Sequence, residues 1–322
     1  MRRCGRSPAP FQHDGNEHYI AYRQTAQRGQ IHPDRLSKAQ DSTLKMIPKI
    51  IHCIWLSGDE KPPIYRACIS SWKRHMPDYE IIEWDRNKFP VDSVPWVAAA
   101  CACKKWAYAA DYIRLYALYN QGGVYLDMDV MVFQSFDPFL RHAAFSCVEL
   151  DPRVFYKTLH SKEAIGCGIE AAVLGAEKGH PWIRRIMEYY EGREFVNKSS
   201  YLFDSLMPRV VTRVSREYGF HMVPLYQILK HDVHIYPPDC FSSVYSIQTL
   251  LGVPTVEESL KLYENNPVRY SVHLCAHGWW EKEYNKESLI FRLKRKFIQI
   301  FGKEFTDFLK RLVPFGKKKD IY

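Results

Sequence analysis

The segment AYAADYIRLYALYNQGGVYLDMDV, residues 107–130, constrains the fold more than any other part of the chain. Small and apolar residues recur at helical spacing through its first half, and Asp111 and Arg114, three apart, share one face of that helix. Gly122-Gly123 stops the helix, and VYLDMDVMVF then reads as a strand. Helix, glycine turn and strand together make one αβ unit, whose apolar residues require cover on both sides. Three carboxylates and a guanidinium sit among Leu, Tyr, Ala and Val, where charge needs a partner or a ligand.

The neighbouring segments continue the alternation. Residues 47–56, within MIPKIIHCIWLSG, read as a buried first strand ending in a Ser-Gly turn. KPPIYRACISSWKRHMPDY has a proline-led helix that stops near Pro77, and YEIIEWD, residues 79–85, alternates as a strand. An alanine-rich stretch from about Val94 to Asn120 reads as one long helix. Further strands are expected at 143–150, 170–176, 231–238 and 269–276, with a helix over 180–191 led by Pro181. Strand–helix alternation predicts an α/β fold with a mixed central sheet.

Within a strand, residues two apart face the same way, so Asp127 and Asp129 are expected to point together at a carboxyl end, where open α/β sheets bind ligands. Paired carboxylates repel unless a proton or cation intervenes. A hard divalent ion, Mg²⁺ or Mn²⁺, takes oxygen ligands and can bridge to a diphosphate. Either Asp111 and Arg114 grip sugar hydroxyls or phosphate oxygens, or they form an ion pair that only locks helix to sheet. Tyr108, Tyr112, Tyr116 and Tyr119 recur along one side of the helix and read as core. Gly179-His180-Pro181 reads as the start of a helix, and Trp55 as either a stacking platform or a core residue.

The blocks IPKIIHCIW (47–55), ADYIRLYALYNQGGVYLDMDV (110–130), EKGHP (177–181), HIYPPDCF (234–241) and YSVHLCAHGW (270–279) resemble the DxD-containing glycosyltransferases of the capsular-polysaccharide and initiating α-1,6-mannosyltransferase type, and more distantly the clostridial glucosylating toxins. The resemblance covers about 46–280. It implies a GT-A-like nucleotide-sugar transferase fold, a nucleotide-sugar donor with a UDP-sugar favoured, Mn²⁺ or Mg²⁺, a glycan or lipid-linked glycan acceptor in surface polysaccharide synthesis, and retention at the anomeric carbon. By the same resemblance Trp55 stacks on the donor base, Asp111 and Arg114 hold the donor sugar, and Asp127 faces ribose and sugar. Asp129 is the direct metal ligand, and Trp279 is the tryptophan near the diphosphate; Tyr125, two residues before Asp127, is a further donor-site candidate. His273 or His277 supplies the third protein ligand, and either is equally explained as a core or surface histidine. The sequence departs from the family at Ala110, Leu274 and Gly278, where Ser, His and Ser are usual. Two other functions are compatible with VYLDMDV: a haloacid-dehalogenase-type phosphotransferase with Asp127 as nucleophile, and a catalytically dead sugar-nucleotide-binding protein. The first normally carries its motif on the fold's first strand, and here two strand candidates come before it.

Charge is placed at the ends. Of the net +9, residues 1–45 carry eight basic and four acidic side chains, and residues 281–322 carry twelve and six. The near-neutral middle argues against a nucleic-acid enzyme. Residues 1–45 lack periodicity and are expected to be a disordered extension, with Met46 a candidate natural start. In 281–322, Leu289, Leu293, Phe297 and Phe301 form an apolar stripe opposite Lys and Arg. Such a tail suits an anionic membrane surface or packing on the catalytic domain. No apolar run is long enough to span a bilayer and the N-terminus lacks a signal-peptide core. Nine irregularly spaced cysteines read as buried thiols. The expected location is cytoplasmic, peripheral at the membrane.

Overall fold

In the computed structural model of the protein, residues 46–151, 155, 166–241 and 266–275 are described, all within the unit Met1–Cys275. The expectations for the N-terminal extension, the basic tail, His277 and Trp279 fall outside them. Ten strands are described: β1 (Ile50–Ile54), β2 (Glu80–Trp84), β3 (Gly123–Leu126), β4 (Val130–Val132), β5 (Ala144–Leu150), β6 (Cys167–Ile169), β7 (Val173–Ala176), β8 (Gln227–Leu229), β9 (Val233–Tyr236) and β10 (Ser271–His273). The helices used below are α1 (Pro63–His75), α2 (Pro95–Ala102), α3 (Trp106–Gln121) and α4 (Pro181–Met187).

Eight strands form the main sheet in the order β2-β1-β3-β7-β5-β9-β8, with β6 added to β5. β1 runs parallel to β2 and β3, whereas β7 is antiparallel to both β3 and β5. This is the mixed central sheet of the expected α/β fold. Alternate side chains leave a strand on opposite faces. Ile51 and Cys53 of β1, with Val124 and Leu126 of β3, enter one apolar cluster beside Trp72 of α1; Ile54 and Tyr125 enter the other, beside Ile113 and Leu118 of α3. The sheet is therefore covered on both faces, which explains why β3 is buried along its whole length.

The single helix expected over 94–120 is two. α2 ends at Ala102, and Lys104 adopts φ +57°. Its N–H bonds to Cys101 O and the Lys105 N–H to Ala100 O, both at 2.9 Å. This is the paired closure that usually employs glycine, so a lysine there gives no sequence signal. The bend lets the Trp96 indole donate to Tyr108 O at 2.9 Å. Tyr108 and Tyr112 are buried, and Tyr116 and Tyr119 pack against the same core, as the core expectation required. His180 caps α4, its Nδ1 accepting from Trp182 N at 3.2 Å. The eight described cysteines are free thiols, with only Cys103 exposed.

α3 passes into β3 through two glycines in the left-handed region. A side chain on Gly123 (φ +117°) would lie 2.7 Å from Ile50 O, so nothing larger lets β3 enter beside β1. His52 of β1 secures the same turn. Its Nδ1 accepts from the Trp84 indole at 3.1 Å, which leaves Nε2–H to donate to Gly122 O at 2.8 Å.

Candidate active site

Asp127 and Asp129 do converge, but not as members of one strand. β3 ends at Leu126 and β4 begins at Val130, and the residues between form a turn closed by Val130 N to Asp127 O at 3.0 Å. The expected continuous strand VYLDMDVMVF is thus two strands in different sheets. The turn is tied down on both sides: Asp127 N donates to Ala172 O, ahead of β7, and Leu274 N, after β10, donates to Asp129 O, each at 2.9 Å. From α1, the Trp72 indole donates to Val130 O at 2.7 Å, and Ser71 Oγ accepts from Val132 N at 3.0 Å. Antiparallel pairing of β4 with β10 sets His273 opposite Val130, and so beside the acidic turn.

His273 Nε2 lies 3.4 Å from Asp129 Oδ1 and 3.9 Å from Asp127 Oδ2. One ligating atom from each of Asp127, Asp129 and His273 falls within 4.8 Å of the others. Two carboxylates and an imidazole form a donor set suited to Mn²⁺ or Mg²⁺. The Asp127 and Asp129 side chains are 26% and 13% exposed, so the turn opens outward. Burial disfavours the imidazolium of His273, yet the Cys275 sulfur, Asp129 and Glu170 outweigh it and raise its pKa well above the usual histidine value. By geometry, the carboxylates of Asp127 and Asp129 face its Nε2 and that of Glu170 faces its Nδ1.

Asp111 and Arg114 form the floor beneath the turn, each 5% exposed. Arg114 Nη2 donates to Asp111 Oδ1 at 2.9 Å, and Nη1 donates to Ala171 O at 2.9 Å and stands 3.2 Å from Asp127 Oδ1. Its guanidinium lies 4.5 Å from the centre of the Tyr125 ring, and the Tyr125 hydroxyl donates to Asp127 Oδ1. Burial pushes the Asp111 carboxyl up to about 7, against the pull of Arg114 and with a further push from Asp127. The pair joins helix to sheet and also fixes Asp127 from below.

Trp55 is half-buried just past β1. Its indole donates to Asp59 O at 2.7 Å and meets the Tyr65 ring edge-on at 5.5 Å. Trp55, Leu56, Gly58, Asp85, Arg86 and Asn87 line a cavity of about 350 Å³. These residues follow β1 and β2, whose carboxyl ends share a side with that of β3.

Two site residues had no motif to announce them. Tyr65, in α1, packs edge-on against Trp55, and its hydroxyl pKa is raised to about 12 by burial and then by Asp129 and Asp127. Glu170 places Oε1 3.3 Å from His273 Nδ1. Neither belongs to a spacing pattern. Each is placed by the packing of distant segments.

Residues 62–146 match the family described as "Glycosyltransferase sugar-binding region containing DXD motif". That segment carries α1, Asp111, Arg114, Asp127 and Asp129. Among curated proteins, inositol phosphoceramide mannosyltransferase 3 of Schizosaccharomyces pombe is 29% identical over 145 residues, covering 44% of this chain and 36% of the relative. Inositol phosphoceramide mannosyltransferase 2 of the same yeast is 29% identical over 151 residues, covering 45% and 39%. The chain thus spans well under half the length of these curated relatives. Among solved structures, the PaToxG glycosyltransferase aligns with a TM-score of 0.39 at 18% identity, covering 54% of this chain and 70% of that one. The galactosyltransferase LgtC aligns at 0.36 and 14%, covering 71% and 87%.

Proposed function

We propose that this protein is a metal-dependent glycosyltransferase of GT-A type that moves a hexose from a nucleotide-sugar donor to a glycan or lipid-linked glycan acceptor. The observation that carries this is the convergence of Asp127 and Asp129, on the chain segment that matches a DXD sugar-transfer family, with His273 from a later strand within 4.8 Å, beside the carboxyl ends of parallel strands. A divalent cation at this turn would neutralise the donor diphosphate and ease its departure.

The described side chains divide the remaining work. Asp127, Asp129 and His273 hold the cation, and Tyr125 and Arg114 orient Asp127. The cavity beside Trp55 accepts the nucleoside, with the indole as stacking surface. Asp111 and Arg114, spent largely on each other, form the charged floor under the sugar. Their contribution is positioning and preorganised electrostatics. Retention is proposed from the family resemblance, and front-face displacement because no residue of the sequence stands out as a covalent nucleophile on the sugar. The relatives' names favour mannose as the hexose and an inositol phosphoceramide-like lipid as acceptor, whereas the family resemblance favours a UDP-hexose donor, so the donor panel includes both UDP- and GDP-hexoses. A role in surface polysaccharide synthesis, and attachment of the basic tail 281–322 to the cytoplasmic face of an anionic membrane, complete the proposal. Equal liposome flotation of the full chain and a 1–283 truncation would remove that last element.

The test is release of nucleoside diphosphate from a panel of UDP- and GDP-hexoses, with Mn²⁺ or with EDTA. Release with one donor, dependent on Mn²⁺, is expected. No release from any donor, with or without a glycolipid acceptor, refutes the assignment.

A further inference from the structure

Glu170 lies between β6 and β7 and is 1% exposed. Its Oε1 accepts from Ala172 N at 3.2 Å and lies 3.3 Å from His273 Nδ1, while Oε2 has no hydrogen-bond partner among the described residues. The main chain around it is firmly held. Glu170 N donates to Cys147 O, and Ser146 Oγ lies within hydrogen-bond distance of both Glu170 O and Val173 O, donating to one of them, all at 2.9 Å. A buried carboxylate with one unpaired oxygen is a net cost to folding. A glutamine would serve Ala172 N–H equally well without bringing charge into the core, so stability alone does not account for the acid.

The imidazole of His273 supplies the account. A neutral histidine carries its proton on one nitrogen and a lone pair on the other. Carboxylates face both nitrogens of this ring, so a cation held at the turn decides between them: it takes the lone pair of Nε2, and the Glu170 carboxylate, which only accepts, holds the proton on Nδ1. Nε2, 3.4 Å from Asp129 and 3.9 Å from Asp127, then presents its lone pair to the acidic turn. Cys275 Sγ also approaches Nδ1, at 3.7 Å, but it equally contacts His273 O at 3.7 Å, and a thiol is too weak a partner to set the ring. Without Glu170, nothing described near Nδ1 accepts strongly from it.

We propose that Glu170 is a positioning residue: it fixes His273 as the Nδ1–H tautomer, aims Nε2 at the space shared with Asp127 and Asp129, and thereby completes a three-ligand divalent-cation site. This rests on reading the turn as a metal centre. A carboxylate behind a ligating histidine orients the ring and raises its basicity, and loss of such a partner weakens metal binding about 10–100-fold.

The experiment is titration of Mn²⁺ into the metal-free full chain, followed by the electron paramagnetic resonance signal of the free ion. Wild type, Glu170→Ala, Glu170→Gln, His273→Ala and the Glu170→Ala/His273→Ala double variant are compared, with circular dichroism confirming the fold. Glu170→Ala should raise the dissociation constant about 10–100-fold. Glu170→Gln should raise it less, since its amide oxygen still accepts from Nδ1–H. In the His273→Ala background, removing Glu170 should change affinity by less than about twofold, because the effect passes through the ring. A folded Glu170→Ala variant that binds Mn²⁺ as wild type does, or one whose loss persists without His273, overturns the role of Glu170. A wild type that takes up no Mn²⁺ overturns the metal centre itself, so the two failures are separable.

Discussion

Replacing Arg114 with methionine should destabilise the protein strongly and in a pH-dependent way. Methionine keeps much of the apolar stem but removes the guanidinium that bonds Asp111 at 2.9 Å and stands 3.2 Å from Asp127. Asp111, 5% exposed, is left without its cation. Removing one partner of a buried pair costs about 3–5 kcal/mol, which for a domain of this size lowers Tm by roughly 6–20 °C. Even with Arg114 present, burial holds the Asp111 carboxyl at about 7; without the cation it moves higher. A group whose pKa is raised by folding is tolerated while protonated, and stability is lost as pH climbs through the folded value. The penalty should therefore be small at about pH 5 and largest at about pH 8.5. Adding Asp111→Asn should recover much of the loss, since no charge then remains to be buried. Thermal unfolding of wild type, both single variants and the double variant at the two pH values measures this. A loss equal at both pH values, or a double variant as weak as the sum of the singles, would refute the reasoning.

Other expectations test other parts of the molecule. Trp55→Ala should weaken donor binding about 10–100-fold by calorimetry, the worth of one base stacked on an aromatic ring, with little change in Tm because the indole is only half-buried; unchanged affinity would leave the cavity beside it without its stacking role. His142 is buried, stacks on His234 at 3.6 Å between ring centres, and is held at about 4, first by burial and then by the charge of His234. The unfolded chain takes up a proton near 6.5 that the folded chain refuses, so stability should fall as pH drops from about 6.5 toward 4. His142→Gln should flatten that slope in urea denaturation, and an unchanged slope would place its origin elsewhere.

The αβ unit at the centre of the site was legible because every part of it is local. Helical spacing brings Asp111 and Arg114 to one face, and Gly122-Gly123 marks the tight turn by which α3 enters β3. Strand alternation predicts that the carboxylates at 127 and 129 converge, but by the wrong geometry: a turn gathers them, held by Ala172 and Leu274 from segments far along the chain. Long-range pairing of this kind leaves no periodic trace. The same holds for Glu170 and Tyr65, single residues brought in by β7 and α1. The break at Lys104 was silent because lysine occupies a backbone conformation usually given to glycine. His273 could be named from the family resemblance, but only the β4–β10 ladder brings it beside the acidic turn.

The central claim is that Asp127, Asp129 and His273 hold a divalent cation against the diphosphate of a sugar donor. Calorimetric titration of nucleoside diphosphates into wild type and Asp129→Ala, each with Mn²⁺ and with EDTA, addresses it directly. Tight binding should occur only in wild type with Mn²⁺, and should fall to the same weak level in the other three arms. Equal affinity in EDTA, or an Asp129→Ala protein that binds as tightly with Mn²⁺ as wild type, would contradict the account.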